Sequence, residues 1–188
     1  MLIAFNKPYG VLSQFTSDGS PHRTLSEFAF PPQVYPIGRL DSDSEGLLLL
    51  SEEAQLNERL LNPRHGHKRI YQAQVEHVPN PAALAKLARG PIVQGRKTLP
   101  CRAWLLDPQP EVAPRDPPIR FRKNVATAWI GLELTEGKNR QVRRMTAAIG
   151  HPTLRLIRVQ IGTYTLPGDL GSGMWRALTA SERKLVLQ

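Results

Sequence analysis

Residues 126–149 change period part-way along, and this change constrains the fold more than any other feature of the chain. Ala126, Ala128, Ile130, Leu132 and Leu134 occupy every second position, the period of a strand with one buried face. Gly137-Lys138-Asn139 then turns the chain. From residue 140 onward Val142, Met145 and Ile149 recur at helical spacing, and Gly150 supplies a C-terminal cap. A strand joined by a tight turn to an amphipathic helix requires mixed structure.

The rest of the chain has the same character. Residues 2–6 predict a short strand that Pro8-Tyr9-Gly10 ends, and residues 33–40 are extended because Pro36 and Gly38 oppose a helix. Residues 47–50 form a wholly apolar strand, and Ser51 reads as the N-cap of a helix running to about Leu61. Residues 69–77 predict a strand with Tyr71, Ala73 and Val75 on one face and Gln72, Gln74 and Glu76 on the other. Asn80-Pro81 opens a helix that Gly90 closes. Short strands follow near residues 92–93 and 102–106, then a proline-rich surface loop over 108–118. Residues 154–162 predict a further strand, and Thr179 with Glu182 predicts a capping box for a last helix. Without strict strand–helix alternation, the fold class is α+β on a largely antiparallel central sheet with flanking helices.

Charge narrows the partners. The 188 residues carry 25 Lys and Arg against 16 Asp and Glu, a net charge of +9. That surplus points to a polyanion: nucleic acid, a membrane surface or a phosphorylated substrate. One cysteine, Cys101, excludes an internal disulfide and a cysteine-rich zinc site. The apolar stretches are far shorter than the ~20 residues of a membrane helix. The expectation is a soluble, basic, cytoplasmic protein with no membrane partner.

Three segments carry chemistry. Gly38-Arg39-Leu40-Asp41 runs into Ser42-Asp43-Ser44-Glu45-Gly46-Leu47-Leu48. Its acids at 41, 43 and 45, followed by Gly46 and Glu52, nearly match a calcium loop, but such a loop lies between two helices. The plain alternative is a solvated polar turn. The second segment is Lys68-Arg69-Ile70-Tyr71, whose tyrosine shares a face with Ala73 and Val75 and reads as a core or edge residue when taken alone. The third is residues 136–145, where Lys138, Arg140, Arg143 and Arg144 crowd a helix N-terminus. The helix dipole disfavours cations there, so the placement suggests an anion site, the plain alternative being a solvated basic face. His65 and His67 lack the companions that a metal site needs.

Taken together, these segments closely resemble the pseudouridine synthases that act on ribosomal RNA, in the branch typified by the small-subunit enzyme. The matching residues are Phe5-Asn6-Lys7-Pro8, Gly38-Arg39-Leu40-Asp41 with Gly46-Leu47-Leu48, and Tyr71. They continue through Gly137-Lys138-Asn139-Arg140-Gln141-Val142-Arg143-Arg144-Met145 and Leu156-Ile157-Arg158 with Ile161-Gly162. Nearly the whole chain is covered, in the family's order. The loop over 114–120 and the run 152–158 favour a member acting on the large subunit. Two departures stand out. No room remains for the small N-terminal RNA-binding domain of the S4 type that most members carry, and Lys138 stands where Arg is frequent.

The resemblance implies the pseudouridine synthase fold, with a cleft across its sheet, in one catalytic domain over 1–188 open to division into two lobes. It implies isomerisation of a uridine in ribosomal RNA, 23S being favoured, by a monomer without cofactor or metal. Asp41 is then the nucleophile, a role suited to a carboxylate, with attack on base or sugar both open. Arg143 is the cation that favours the ionised nucleophile, and Tyr71 stacks on the uracil and serves proton transfer. The target base must leave its stack to react, so Arg39 fills the vacated space and Leu156 packs beneath the base. Lys138, Asn139, Arg140, Arg144 and Arg158 contact RNA. The competing class is a non-catalytic RNA-binding module for ribosome assembly.

Overall fold

The computed structural model describes residues 1–119 and 125–188. Arg120, at the end of the 114–120 loop motif, lies outside them. In chain order the elements are β1 (Leu2–Lys7), β2 (Tyr35–Pro36), β3 (Glu45–Ser51), α1 (Gln55–Leu61), β4 (Arg69–Glu76) and α2 (Pro81–Ala88). There follow β5 (Ile92–Val93), β6 (Arg96–Lys97), β7 (Arg102–Leu105), β8 (Thr127–Leu134) and α3 (Gln141–Ala148). The last are β9 (Thr153–Ile161), β10 (Tyr164–Thr165), β11 (Trp175–Ala177) and α4 (Ala180–Val186). The chain divides into two compact units: Met1–Arg69 with Ile157–Gln188, and Ile70–Leu156.

In the first unit the strand order is β11-β1-β3-β9, with β2 added to β3 and β10 to β9. The β1 ladder is antiparallel on both sides and pairs Leu2 with Ser51 through to Lys7 with Gly46. The β3–β9 pairing is parallel, Glu45 opposite Ile157 and Gly46 opposite Arg158, so the sheet is mixed. All seven residues of β3 are buried, which explains its unbroken apolar run: both faces are covered. On one face Leu47 and Leu49 pack with Leu2, Ala4, Leu56, Leu60, Ile161 and Val186. On the other, Phe5 and Leu48 pair across the ladder, and the Phe5 ring meets Phe28 at 4.9 Å and Phe30 at 5.1 Å. Each leucine so enclosed contributes about 1.5–3 kcal/mol.

Two ends of this unit show how local signals fare. Thr179 and Glu182 form the expected capping box on α4, and Arg183 grips Glu53 through two bonds of 2.5 and 2.6 Å. Ser51 corrects the sequence reading, because it is the last residue of β3 and not a helix cap. Its hydroxyl donates to the Met1 carbonyl at 2.6 Å and accepts the Glu53 N–H, so α1 starts only at Gln55.

In the second unit β8 lies between β4 and β7. Tyr71, Ala73 and Val75 are buried, in keeping with their alternation, and Glu76 joins them at the end of the strand. Trp104 of β7 lies so close over Gly131 that a methyl group there would meet the indole at 2.2 Å, which accounts for the glycine in β8. Asn80 caps α2 by accepting the Ala83 N–H at 2.8 Å. The strand β6, which periodicity does not reveal, pairs with β5 as a two-residue hairpin around Gln94-Gly95.

Candidate active site

In the first unit the segment before β3 is tied down by its backbone. Ser13 Oγ donates to the Leu40 carbonyl at 2.7 Å and accepts the Leu40 N–H at 3.0 Å. Gly10 N–H donates to the Ser42 carbonyl at 2.7 Å, and Ser44 N–H closes a turn onto the Asp41 carbonyl at 3.0 Å. Asp41 thus stands half-exposed on a turn whose neighbours on both sides are fixed, and Arg39 is exposed beside it. A reactive carboxylate needs this arrangement, because misplacement of a nucleophile by even an ångström costs rate steeply.

Lys7, the last residue of β1, is fully buried. Its ammonium donates to the carbonyls of Pro8 at 2.9 Å and Val11 at 2.7 Å, holding the chain that supplies Gly10 and Ser13. Burial pushes this amine down to about 7; the carboxylates of Glu45, Asp43 and Asp41 oppose the shift, and Arg158 adds to it. The consequence for stability has a definite sign. Between about pH 7 and the unfolded value of 10.5 the unfolded chain binds more protons at this site, so stability rises with pH there. Lys7→Met should remove that dependence, which approaches ~1.4 kcal/mol per pH unit at its steepest. Urea unfolding of both proteins from pH 7 to 10 measures it, and parallel profiles would contradict the assignment.

In the second unit the turn into α3 is organised by a buried acid that the sequence reading did not assign. Glu136 accepts the Leu99 N–H at 2.7 Å and the Gln141 amide at 2.6 Å, and lies 3.2 Å from the Lys138 ammonium. Burial opposes its ionisation, but these donors outweigh burial and hold the carboxyl below its ordinary value. Gln141 also accepts the Lys138 N–H at 2.9 Å. The turn so fixed leaves Lys138, Asn139 and Arg140 exposed, with Arg140 in the left-handed region at φ +50°. Arg143, one turn into the helix, is half-buried and donates to the Thr153 carbonyl at 3.3 Å. Tyr71 is 9% exposed in β4, and Leu156 is buried in β9.

One expected RNA contact sits elsewhere. Arg158 is 3% exposed, and its Nε donates to the Leu47 carbonyl at 2.7 Å, so it serves the β3–β9 junction and not a phosphate on the surface. The calcium-loop alternative also fails on geometry. Its twelfth position, Glu52, follows the whole of β3, roughly 20 Å along the strand direction, and pairs with the Met1 ammonium. Among the described residues no three His, Cys, Asp or Glu side chains gather as a metal site, and no helix is long and apolar enough to cross a membrane. Lys7, Ser13 and Glu136 escaped the sequence reading. Lys7 had a visible signal, a lone cation at the end of an apolar strand; Ser13 had none.

The chain is similar to known proteins. The family described as RNA pseudouridylate synthase matches residues 1–148. Ribosomal large subunit pseudouridine synthase E of Xanthomonas campestris pv. campestris is 51% identical over 177 residues, 94% of this chain and 94% of that protein. The protein of the same name from Vibrio parahaemolyticus is 45% identical over 177 residues, 94% of this chain and 73% of that one. A crystal structure of a pseudouridylate synthase matches with a TM-score of 0.80 and 27% identity, over 98% of this chain and 73% of that one.

Proposed function

The chain belongs to the RNA pseudouridylate synthase family, and on that premise we propose that it converts one uridine of large-subunit ribosomal RNA to pseudouridine, as a cytoplasmic monomer. The observation that carries the reading is 51% identity, over 94% of the chain, to a protein named for the large subunit, together with an aspartate presented on a tied turn. The uracil detaches from its ribose and reattaches through carbon. Substrate and product are isomers, so no oxidant, reductant or group donor enters the balance.

Asp41 is the nucleophile in this reading. Tyr71 is the aromatic partner of the uracil, and Arg143 is the catalytic cation. Arg39, exposed two residues before Asp41, occupies the space that the flipped base leaves. Lys138, Asn139, Arg140 and Arg144 bind backbone. The test is conversion in vitro of large-subunit and small-subunit ribosomal RNA transcripts, with mapping of pseudouridine in cells lacking the protein. One large-subunit position should lose its modification. Loss at a small-subunit position, or at none, would overturn the assignment.

Affinity gives an independent check. Binding should weaken steeply with salt, the logarithmic slope being about −0.7 for each phosphate contacted on single-stranded RNA. Added calcium or a chelator should change nothing. A flat salt response would mean that the +9 charge serves another partner.

A further inference from the structure

We propose that the β5–β6 hairpin and the turn entering α3 form a binding site for a backbone phosphodiester of the RNA, in which Gln94 holds Arg144 ready for the phosphate. The site rests on the reading of this chain as an RNA-modifying enzyme, and adds to it an anchor that takes no part in the chemistry.

Here the second unit has a cavity of about 290 Å³, lined among others by Gln94, Arg96, Thr98, Lys138, Asn139 and Arg144. Three of its lining side chains are cations and none is a carboxylate. Lys138 has Glu136 behind it at 3.2 Å. Arg144 is held differently. Its Nη1 donates to Gln94 Oε1 at 2.6 Å and its Nη2 to Asn139 Oδ1 at 2.9 Å. Both acceptors are neutral amides from separate segments, fifty and five residues away. A carboxylate in their place would cancel the guanidinium charge. Two amide oxygens fix the plane of the guanidinium and leave its charge uncompensated. With two of five N–H groups used, three remain for an incoming anion. A tetrahedral phosphate oxygen pair suits that fork.

The backbone supplies an independent sign. Gln94 sits at φ +50° and Gly95 at φ +74°, the two positive angles of a tight hairpin turn. Asn, Asp or Gly accepts the first position more readily than Gln. A residue kept in an unfavourable conformation suggests a role for its side chain, and the side chain of Gln94 reaches Arg144.

The test uses the intact protein and a large-subunit RNA fragment that the wild type binds. Binding is titrated across salt concentrations for wild type, Arg144→Gln, Gln94→Gly and the double variant. Arg144→Gln should weaken binding about five- to twentyfold and make the salt slope shallower by about 0.7, one phosphate fewer. Gln94→Gly relieves the backbone, so its thermal stability should hold or rise while its RNA affinity falls about two- to fivefold. A purely structural residue would not split those two readouts. In the Arg144→Gln background the Gln94→Gly effect on binding should vanish, because it acts through the guanidinium. An unchanged salt slope in Arg144→Gln, or unchanged RNA affinity in Gln94→Gly, would overturn the proposal. So would stabilisation of the wild type alone by inorganic phosphate with no change in RNA slope, which assigns the cavity to a free anion. Uridine conversion by the wild type is scored in the same samples, so failure of the enzymatic reading shows separately from failure of the site.

Discussion

Asp41→Asn is expected to yield no detectable pseudouridine while RNA affinity stays within about tenfold of wild type, ~1.4 kcal/mol. The substitution keeps the size of the side chain and removes its negative charge, and a neutral amide is no nucleophile. The backbone bonds around it stay in place. The turn is held by the Leu40, Asp41 and Ser42 backbone groups, through Ser13, Ser44 and Gly10, and none of these bonds uses the Asp41 side chain. Folding should therefore survive, and equal melting temperatures within a few degrees verify it. A single-turnover assay on converted RNA reads the chemistry apart from binding. Turnover above about one per cent of wild type would remove Asp41 from the mechanism. It would equally favour a module that binds ribosomal RNA without modifying it.

Gly46→Ala should be the most destabilising single methyl group in the first unit. Gly46 stands at φ +97°, outside the range that side chains tolerate, and a Cβ there would lie 2.4 Å from the Arg158 carbonyl oxygen and 2.8 Å from Ile157 Cγ2. The obstacle is largely backbone. It cannot swing aside as a flexible side chain would, because Arg158 is the register partner of Gly46 in the parallel β3–β9 pairing. Conformational strain of about 1–3 kcal/mol adds to overpacking of about 1–3 kcal/mol, so a loss of ~2–6 kcal/mol is expected. In a protein of this size that lowers the melting temperature by roughly 4–24 °C. Gly10→Ala separates the two contributions. Gly10 has φ +77°, but a methyl group added there would meet nothing within 4 Å, so only the conformational part remains. If both variants lose the same stability, the close approach of β9 to Gly46 is not what excludes a side chain.

The contrast between local and distant contacts explains which features were legible without a structure. β1, β3, β4, β8, α3 and α4 follow from alternation, helical spacing and caps, which are local. Asn80 and Thr179 do in the structure what their residue types announce, since a cap acts over three residues. Asp41 is singled out by the Gly38-Arg39-Leu40-Asp41 resemblance and not by the composition of its segment, which fits a calcium loop nearly as well. β6, β10 and β11 were not legible, because two or three residues carry no period and are strands only through their partners.

The sequence by itself determined the α+β class, the boundaries of the longer elements and the family, because these depend on residue spacing and on motifs kept in order. Tertiary structure alone decided the fate of the charges. Arg158 looks in sequence like its exposed counterparts, and Lys7 differs from them only in ending an apolar strand. Yet Lys7 is enclosed with its ammonium on two carbonyls, and Arg158 donates to Leu47, 111 positions away. Arg144 is met by the side-chain amide of Gln94, fifty residues earlier. Whether a cation is buried, neutralised or left available depends on which distant groups the fold brings within about 3 Å, and no local pattern encodes that distance.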